Sequence, residues 1–386
     1  MSEEFEGFEF EAIQFDPTKI EWEDLSRREL KFETLRYDKT SKTLEVLDQL
    51  LLPTTTEYIS VRNVQDAHRV IREMNVRGAP LIATVGLLGL SVDLEHNPEA
   101  KAENLVDYID RACDYLKTSR PTAVNLTNEV LKLRDFTAKL SSLSDDEIRK
   151  QLSSETIHDY VYRLYVSERE ENDLLLRHAV ACVEHNVADR KTPLNVITIC
   201  NTGALATSSF GTALGNSVIR ALHWRQRIET AFCLETRPYN QGARLTAYEL
   251  DAEGIPHCLI SDSMAAALMK SRRIHAILVG ADQVAMNGDT ANKIGTYSLA
   301  VLANYHRIPF YVVTPTSSIN PRIQSGNEIT IEERKADEFK IFNGIQIAPS
   351  NTPVWNPAFD ITPAQLITAI LTERGNVRPA NVKNLF

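Results

Sequence analysis

Beyond about Asp189 the chain alternates short, β-branched apolar runs with amphipathic stretches, and no other feature of the sequence restricts the fold so strongly. The runs are Asn195–Cys200, Ala231–Leu234, His257–Ile260, Ala276–Gly280 and Phe310–Thr314. Helical patterns lie between them at Leu205–Trp224, Ala243–Glu253, Asp262–Arg272 and Ala291–Tyr305. Strand then helix, repeated, means βαβ crossovers and parallel pairing, and strands apolar throughout are covered on both faces. The fold class is therefore α/β: a Rossmann-like, doubly wound parallel sheet domain spanning residues 190–386. Its ligands are expected at the carboxyl ends of the strands.

Upstream the texture differs. Leu35–Pro53 alternates polar and apolar residues, with Asp38 and Lys39 at a turn, as a small hairpin does. Helical periodicity runs from Val64 to about Leu94, breaks at Arg77-Gly78-Ala79-Pro80, and returns at Glu103–Leu116, Asn125–Leu143 and Asp145–Glu184. Residues 35–189 thus read as a mostly helical domain with a small antiparallel sheet, and residues 1–34 as an acidic N-terminal extension. A chain of 386 residues is long for one core, which agrees with two domains.

Composition removes several function classes. A formal net charge of −10 argues against nonspecific binding to nucleic acid or to an anionic membrane surface. No apolar run approaches the roughly 20 residues that cross a bilayer, and the acidic start does not read as a signal peptide. Five scattered cysteines without CxxC spacing suit a reducing compartment, the cytosol or alternatively the nucleus. The nine histidines form no HxxxH or HxH pair, so no metal is expected. Neither GxGxxG nor GxxxxGK[ST] occurs, so no nicotinamide cofactor or nucleotide triphosphate site is expected either.

Candidate site residues fall at the strand ends. Cys200 closes the first strand, where the next helix's N–H groups would lower a thiol pKa; the plain alternative is a structural cysteine in a tight turn. Asp282 follows Gly280 among small residues, where a carboxylic acid of raised pKa could donate a proton, or else cap a turn. Asn292-Lys293 is expected to open the next helix and to hold a phosphate or a sugar hydroxyl. Arg237 and Gln241, after the second strand, are placed to bind polar groups. In the first half, Arg77 with the Gly78 and Ala79 backbone, and Arg120, could grip an anion or form structural salt bridges.

Six stretches together, RGAP, RPTAVNL, CNTGALAT, ETRPYNQGARLTAYEL, GADQVAMNGDTANKIGTY and NPAFDITPAQLITAILTERG, strongly resemble the methylthioribose-1-phosphate isomerase family of methionine salvage. The similarity runs from about Leu35 to Gly375. It implies a catalytic cysteine at Cys200 and a proton-donor aspartate at Asp282. It further implies substrate contacts at Arg77, Gly78, Ala79, Arg120, Gln241, Asn292 and Lys293. The substrate would be a small sugar phosphate, with no cofactor or metal, and the protein a homodimer paired through its second half, where Ile319–Ile347 makes a long charged connection. The same superfamily holds noncatalytic regulatory subunits of the exchange factor for initiation factor 2, and ribose-1,5-bisphosphate isomerase; these are the alternatives. One departure is Ile199, where the family often has histidine; strand alternation points it away from Cys200.

Overall fold

A computed structural model describes residues 31–98, 105–120, 124–140, 154–187, 192–208, 215–342 and 344–386. The chain divides into two compact units, and the division falls inside one long helix, Ser154–Asn186. The first unit holds Leu30–Glu171 together with Ala204–Thr212, and the second holds Asn172–Gly203 with Ala213–Phe386. Residues 1–30 of the expected extension lie outside the described residues. Its last two residues join the first unit: Glu33 and Thr34 accept hydrogen bonds through their carbonyls from Tyr58 Oη (2.8 Å) and Leu47 N (2.9 Å).

In the first unit, β1 (Leu35–Asp38), β2 (Thr43–Leu47) and β3 (Tyr58–Val61) form an antiparallel sheet in that order. The expected hairpin turn is closed by Asp38, whose Oδ1 accepts from Thr40 N at 2.7 Å and Ser41 N at 3.2 Å. The third strand is too short for its alternation to stand out in the sequence. The helical pattern from Val64 breaks where expected: one helix spans Val64–Arg72 and the next Ala79–His96. Asn63 caps the former by accepting from Asp66 N at 2.8 Å. The latter is apolar on every side and correspondingly buried from Leu81 to Leu94 apart from Thr84. Where the two helices cross, a Cβ on Gly89 would lie 2.5 Å from the Cβ of Ala67.

The second unit is built on β4 (Leu194–Thr198), β5 (Ile228–Leu234), β6 (His257–Ile260) and β7 (Ala276–Val279). After these come β8 (Gln283–Val284), β9 (Thr290–Lys293), β10 (Phe310–Val313), β11 (Ile341–Phe342), β12 (Ile345–Gln346), β13 (Phe359–Thr362), β14 (Ala369–Thr372) and β15 (Gly375–Val377). The main sheet has the order β6-β5-β4-β7-β10-β14-β15, parallel throughout except for β15. Strand alternation separates its apolar residues into two cores. Val196, Cys233, Leu278, Tyr311 and Leu371 enter one, Ile197, Phe232, Ile277, Val312 and Ile370 the other. This is why the runs read as apolar throughout: both faces are covered. The helices Gly215–Trp224 and Thr296–His306 contribute to opposite cores through Val218 and Leu222, and through Leu299 and Ala303. The strand β13 lies within NPAFDITPAQL, and β14 and β15 follow it, in a region where the sequence pattern alone identified no strand.

Two expected helices are corrected. The stretch Leu205–Trp224 begins as a single turn at Ala204–Ala206, and its described α-helix is Gly215–Trp224. Residues Thr290–Lys293 form a strand and do not open a helix. As β9 they pair antiparallel with both β8 and β13, and the helix starts only after Gly295, at φ +100°. Asp360 of β13 fixes that start: its carboxylate accepts from Gly295 N at 2.7 Å and Tyr297 N at 3.1 Å.

Two measurements probe these contacts. Gly89→Ala forces its methyl against a neighbouring Cβ that cannot swing aside, and should cost about 1–3 kcal/mol in denaturant unfolding. Burial raises the Asp360 carboxyl to about 6, although the two N–H groups and Lys293 pull it back. A carboxyl raised on folding stabilises most below its unfolded pKa, about 3.9, and that contribution is lost as pH rises through about 6. Melting-temperature margins of the wild type over Asp360→Asn should therefore narrow over that interval. A margin that widens with pH would contradict the assignment.

Candidate active site at the switch point of the sheet

Chain order fixes where the second unit can bind a ligand. From β4 the chain steps outward to β5 and β6, then returns to the other side of β4 to lay down β7, β10 and β14. The order reverses between β4 and β7, and the loops leaving these two strands at their carboxyl ends diverge to open a crevice. Cys200 follows β4, and Asp282 follows β7. The two strands pair directly, Val196 with Ala276 and Ile197 with Ile277. The switch point thus collects the two residues that the sequence marked for chemistry.

Cys200 is not the last residue of its strand, as the sequence suggested. Pairing stops at Thr198, and Cys200 adopts a left-handed conformation with φ +66°, unusual for a residue with a side chain. Hydrogen bonds from neighbouring strand ends hold it there. Its N–H donates to Thr236 Oγ1 at 2.9 Å, and its carbonyl accepts from Thr246 Oγ1. Thr236 is itself fixed, since its N–H and that of Arg237 donate to the Asp262 carboxylate, each at 2.8 Å. The strand ends of β4, β5 and β6 are thereby stapled in series. Ile199, in the position where histidine was the alternative, is 1% exposed and belongs to an apolar core.

The thiol is 4% exposed and lies 3.3 Å from Gln241 Oε1. This amide suits either protonation state, because its oxygen accepts from S–H and its NH₂ group donates to a thiolate. Gln241 opens a widened i→i+5 turn, Gly242–Thr246, before the helix Ala247–Ala252. Only glycine fits at 242, since a Cβ would lie 1.7 Å from the carbonyl oxygen of Leu234. Three other thiols, Cys113, Cys182 and Cys233, are pushed by burial up to about 12 and are inert packing groups.

Asp282 is tied to β9 by its own backbone, its N–H donating to Ala291 O at 2.9 Å. The next two residues of β9 are Asn292 and Lys293, 3% and 6% exposed. Asn292 Nδ2 donates to Thr296 Oγ1 at 3.0 Å. The Lys293 ammonium lies 4.5 Å from the ring centre of Phe359 and 5.9 Å from that of Tyr239. Tyr239 sits two residues before Gln241. A hydrogen bond thus joins Cys200 to Gln241, the Asp282 backbone is tied to β9, and Tyr239 of the Gln241 turn lies within cation–π reach of Lys293. The arrangement offers a thiol, a carboxyl group and an ammonium around one strand-end crevice. Tyr239, Thr236, Thr246, Asp262 and Asp360 were not marked from the sequence as support for the site; Asp262, two residues after β6, carried the same strand-end signal as Cys200.

The remaining candidates belong to the first unit. Gly78, at φ +104°, immediately precedes the helix Ala79–His96, so Arg77, Gly78 and Ala79 sit at a helix start, where N–H groups lack intrahelical acceptors. A Cβ on Gly78 would lie 2.3 Å from the carbonyl oxygen of Ala206. Thr34 Oγ1 and Gln49 Nε2 hold that Ala204–Ala206 turn through its carbonyls, at 2.8 and 2.7 Å. Arg120 directly follows the helix Leu105–Ser119 and is partly buried. Among the described residues no group of three or more His, Cys, Asp or Glu side chains could hold a metal ion, and no helix is long and apolar enough to cross a membrane.

Comparison with known proteins gives a consistent result. Residues 75–379 match the model of the initiation factor 2 subunit family. A methylthioribose-1-phosphate isomerase of Caenorhabditis briggsae is 50% identical over 350 residues, 91% of this chain and 92% of that protein. The crystal structure of 5-methylthioribose 1-phosphate isomerase from Pyrococcus horikoshii is 37% identical and superposes with a TM-score of 0.81, covering 92% of this chain and 95% of that one. A translation initiation factor 2B delta subunit from A. fulgidus is 33% identical, with a TM-score of 0.76 over 92% of this chain and 99% of its own. With a family match over most of its length and half its residues shared with such a relative, the chain belongs to the initiation factor 2 subunit family, in the branch of the methylthioribose-1-phosphate isomerases.

Proposed function

We propose that the protein isomerises 5-methylthio-α-D-ribose 1-phosphate to 5-methylthio-D-ribulose 1-phosphate, with Cys200 and Asp282 as its catalytic pair. The observation that carries this reading is the position of both residues just past the carboxyl ends of the adjacent strands β4 and β7, at the switch point of the sheet. A module that only senses a ligand has no need of a thiol and a carboxyl group there, which sets the regulatory alternative aside.

The phosphate ester at C1 masks the sugar's aldehyde, so the ring must open before aldose and ketose can exchange. Asp282 in its protonated form donates to the ring oxygen as the C1–O bond breaks. Hydrogen then moves from C2 to C1, and the C2 hydroxyl passes its proton back to the Asp282 carboxylate as it becomes the carbonyl, which restores the acid. Cys200 assists that transfer, with Gln241 orienting its sulfur. Lys293 and Asn292 bind phosphate or hydroxyl groups beside Asp282, and Arg77, Arg120 and the Gly78 and Ala79 backbone are the proposed substrate-binding groups of the first unit. General acid–base help of this kind is worth about 10²–10⁴-fold. Assay of the purified protein on this substrate and on ribose 1,5-bisphosphate separates the reading from its nearest enzymatic rival. Cys200→Ser and Asp282→Asn should each lower kcat by about two to four orders of magnitude, with binding retained in calorimetry. Near-normal turnover in either variant removes that residue from the mechanism.

The five cysteines, all unpaired, suit a reducing compartment such as the cytosol. The working form is proposed to be a homodimer joined through the second unit. There the hairpin β11–β12 and its flanks expose Phe339, Ile341, Phe342, Ile345 (67%) and Ile347 (55%), a run of apolar side chains suited to a protein partner. Light scattering at about micromolar concentration should give twice the chain mass of 43.4 kDa, since obligate interfaces of more than about 2,000 Å² leave little free monomer. A mass of 43.4 kDa with full activity would reject the dimer.

A further inference from the structure

We infer that Glu249 is a positioning residue for Cys200, acting through Asn201 and anchored by Arg220. This inference rests on the catalytic reading of Cys200 and assigns the buried charges beneath it. Glu249 and Arg220 are 1% and 2% exposed, on the helices Ala247–Ala252 and Gly215–Trp224. An ion pair so deeply buried is a poor source of stability, because desolvation offsets most of the attraction. Its geometry points to another use. Glu249 Oε1 accepts from Asn201 Nδ2 at 2.7 Å, and Asn201 directly follows Cys200. Oε2 receives Arg220 Nη2 at 3.4 Å. Oε2 also occupies the space beside Gly203, where a Cβ would lie only 1.8 Å away. The Cys200-Asn201-Thr202-Gly203 turn therefore wraps closely around this carboxylate.

The same stretch supplies the other half of the clamp. Thr246, three residues before Glu249, donates to the Cys200 carbonyl, while Glu253, four residues after it, lies 3.9 Å from Arg220 Nε. One helical face thus grips the turn at the Cys200 carbonyl and at Asn201. The left-handed conformation of Cys200 is costly for a residue with a side chain and persists only where its surroundings impose it. Glu249 imposes it from below, and so sets where the sulfur stands against Gln241. Arg220 donates to the carboxylate and keeps it aimed.

The test uses the full chain carrying Cys258→Ser, because Cys258 is the exposed thiol and the other three are buried packing groups. Into this background go Glu249→Ala, Asn201→Ala and the double variant. Asn201→Ala leaves the Glu249–Arg220 pair intact, which keeps the test decisive if removing the carboxylate unfolds the protein. Expected is a fall in kcat of about tenfold or more for each folded single variant, with KM within about twofold. The double variant should be no worse than the poorer single, since both changes remove one contact. Iodoacetamide should alkylate Cys200 about fivefold faster or more, as the loosened turn uncovers a thiol now 4% exposed. This second readout needs no substrate, so it decides the positioning role even if the protein proves inactive on the proposed sugar. Unchanged kcat and unchanged alkylation in Asn201→Ala would overturn the inference. So would losses of kcat that merely track the folded fraction by circular dichroism.

Discussion

The hydrogen bond from Cys200 N to Thr236 Oγ1 is the contact on which the candidate site depends. It joins the end of β4 to the end of β5, and Asp262 extends the link to β6 by accepting from Thr236 N and Arg237 N. Parallel strands leave their last N–H groups without ladder partners, and a loop taken up by water would be free to move. Here side chains from the neighbouring strand end take those groups, so three separate loops behave as one rigid edge. The left-handed cysteine is tolerable because that edge is already fixed.

Charge is handled differently on the two sides of the crevice. Beneath Cys200 a buried carboxylate and guanidinium neutralise one another, Glu249 against Arg220. On the β9 side the ammonium of Lys293 lies against aromatic rings, with Phe359 and Tyr239 within cation–π reach. Rings attract a cation through their negative faces, which holds the ammonium on this side of the site. Asp360, paired with Asn292 in the same small sheet, has its carboxyl raised to about 6 by burial and fixes the start of the following helix. The insertion β8–β9 with β13 is therefore the element that converts a bare strand end into a polar pocket wall.

Much of this was legible in the residues. Apolar runs alternating with amphipathic stretches determined a parallel sheet covered on both faces, and a parallel sheet determined that function sits at its carboxyl edge. From that alone Cys200 and Asp282 stood out, along with Gln241 after the next strand. Arg77-Gly78-Ala79-Pro80 announced a helix break and a new helix start, because proline is accepted in a first turn and glycine before it.

Other features were decided by tertiary structure. Asn292 and Lys293 lie in a strand, although their residues carry no strand pattern; β13, far along the chain, supplies their partners. Cys200 leaves its strand early and turns left-handed, because Thr236 and Thr246, from two places in the sequence, hold its N–H and its carbonyl. Glu249 and Arg220 look like surface residues of two amphipathic helices until the fold buries them together. In each case the deciding energy is a hydrogen bond or ion pair between residues distant in sequence, and local pattern carries no record of a partner that only folding brings near.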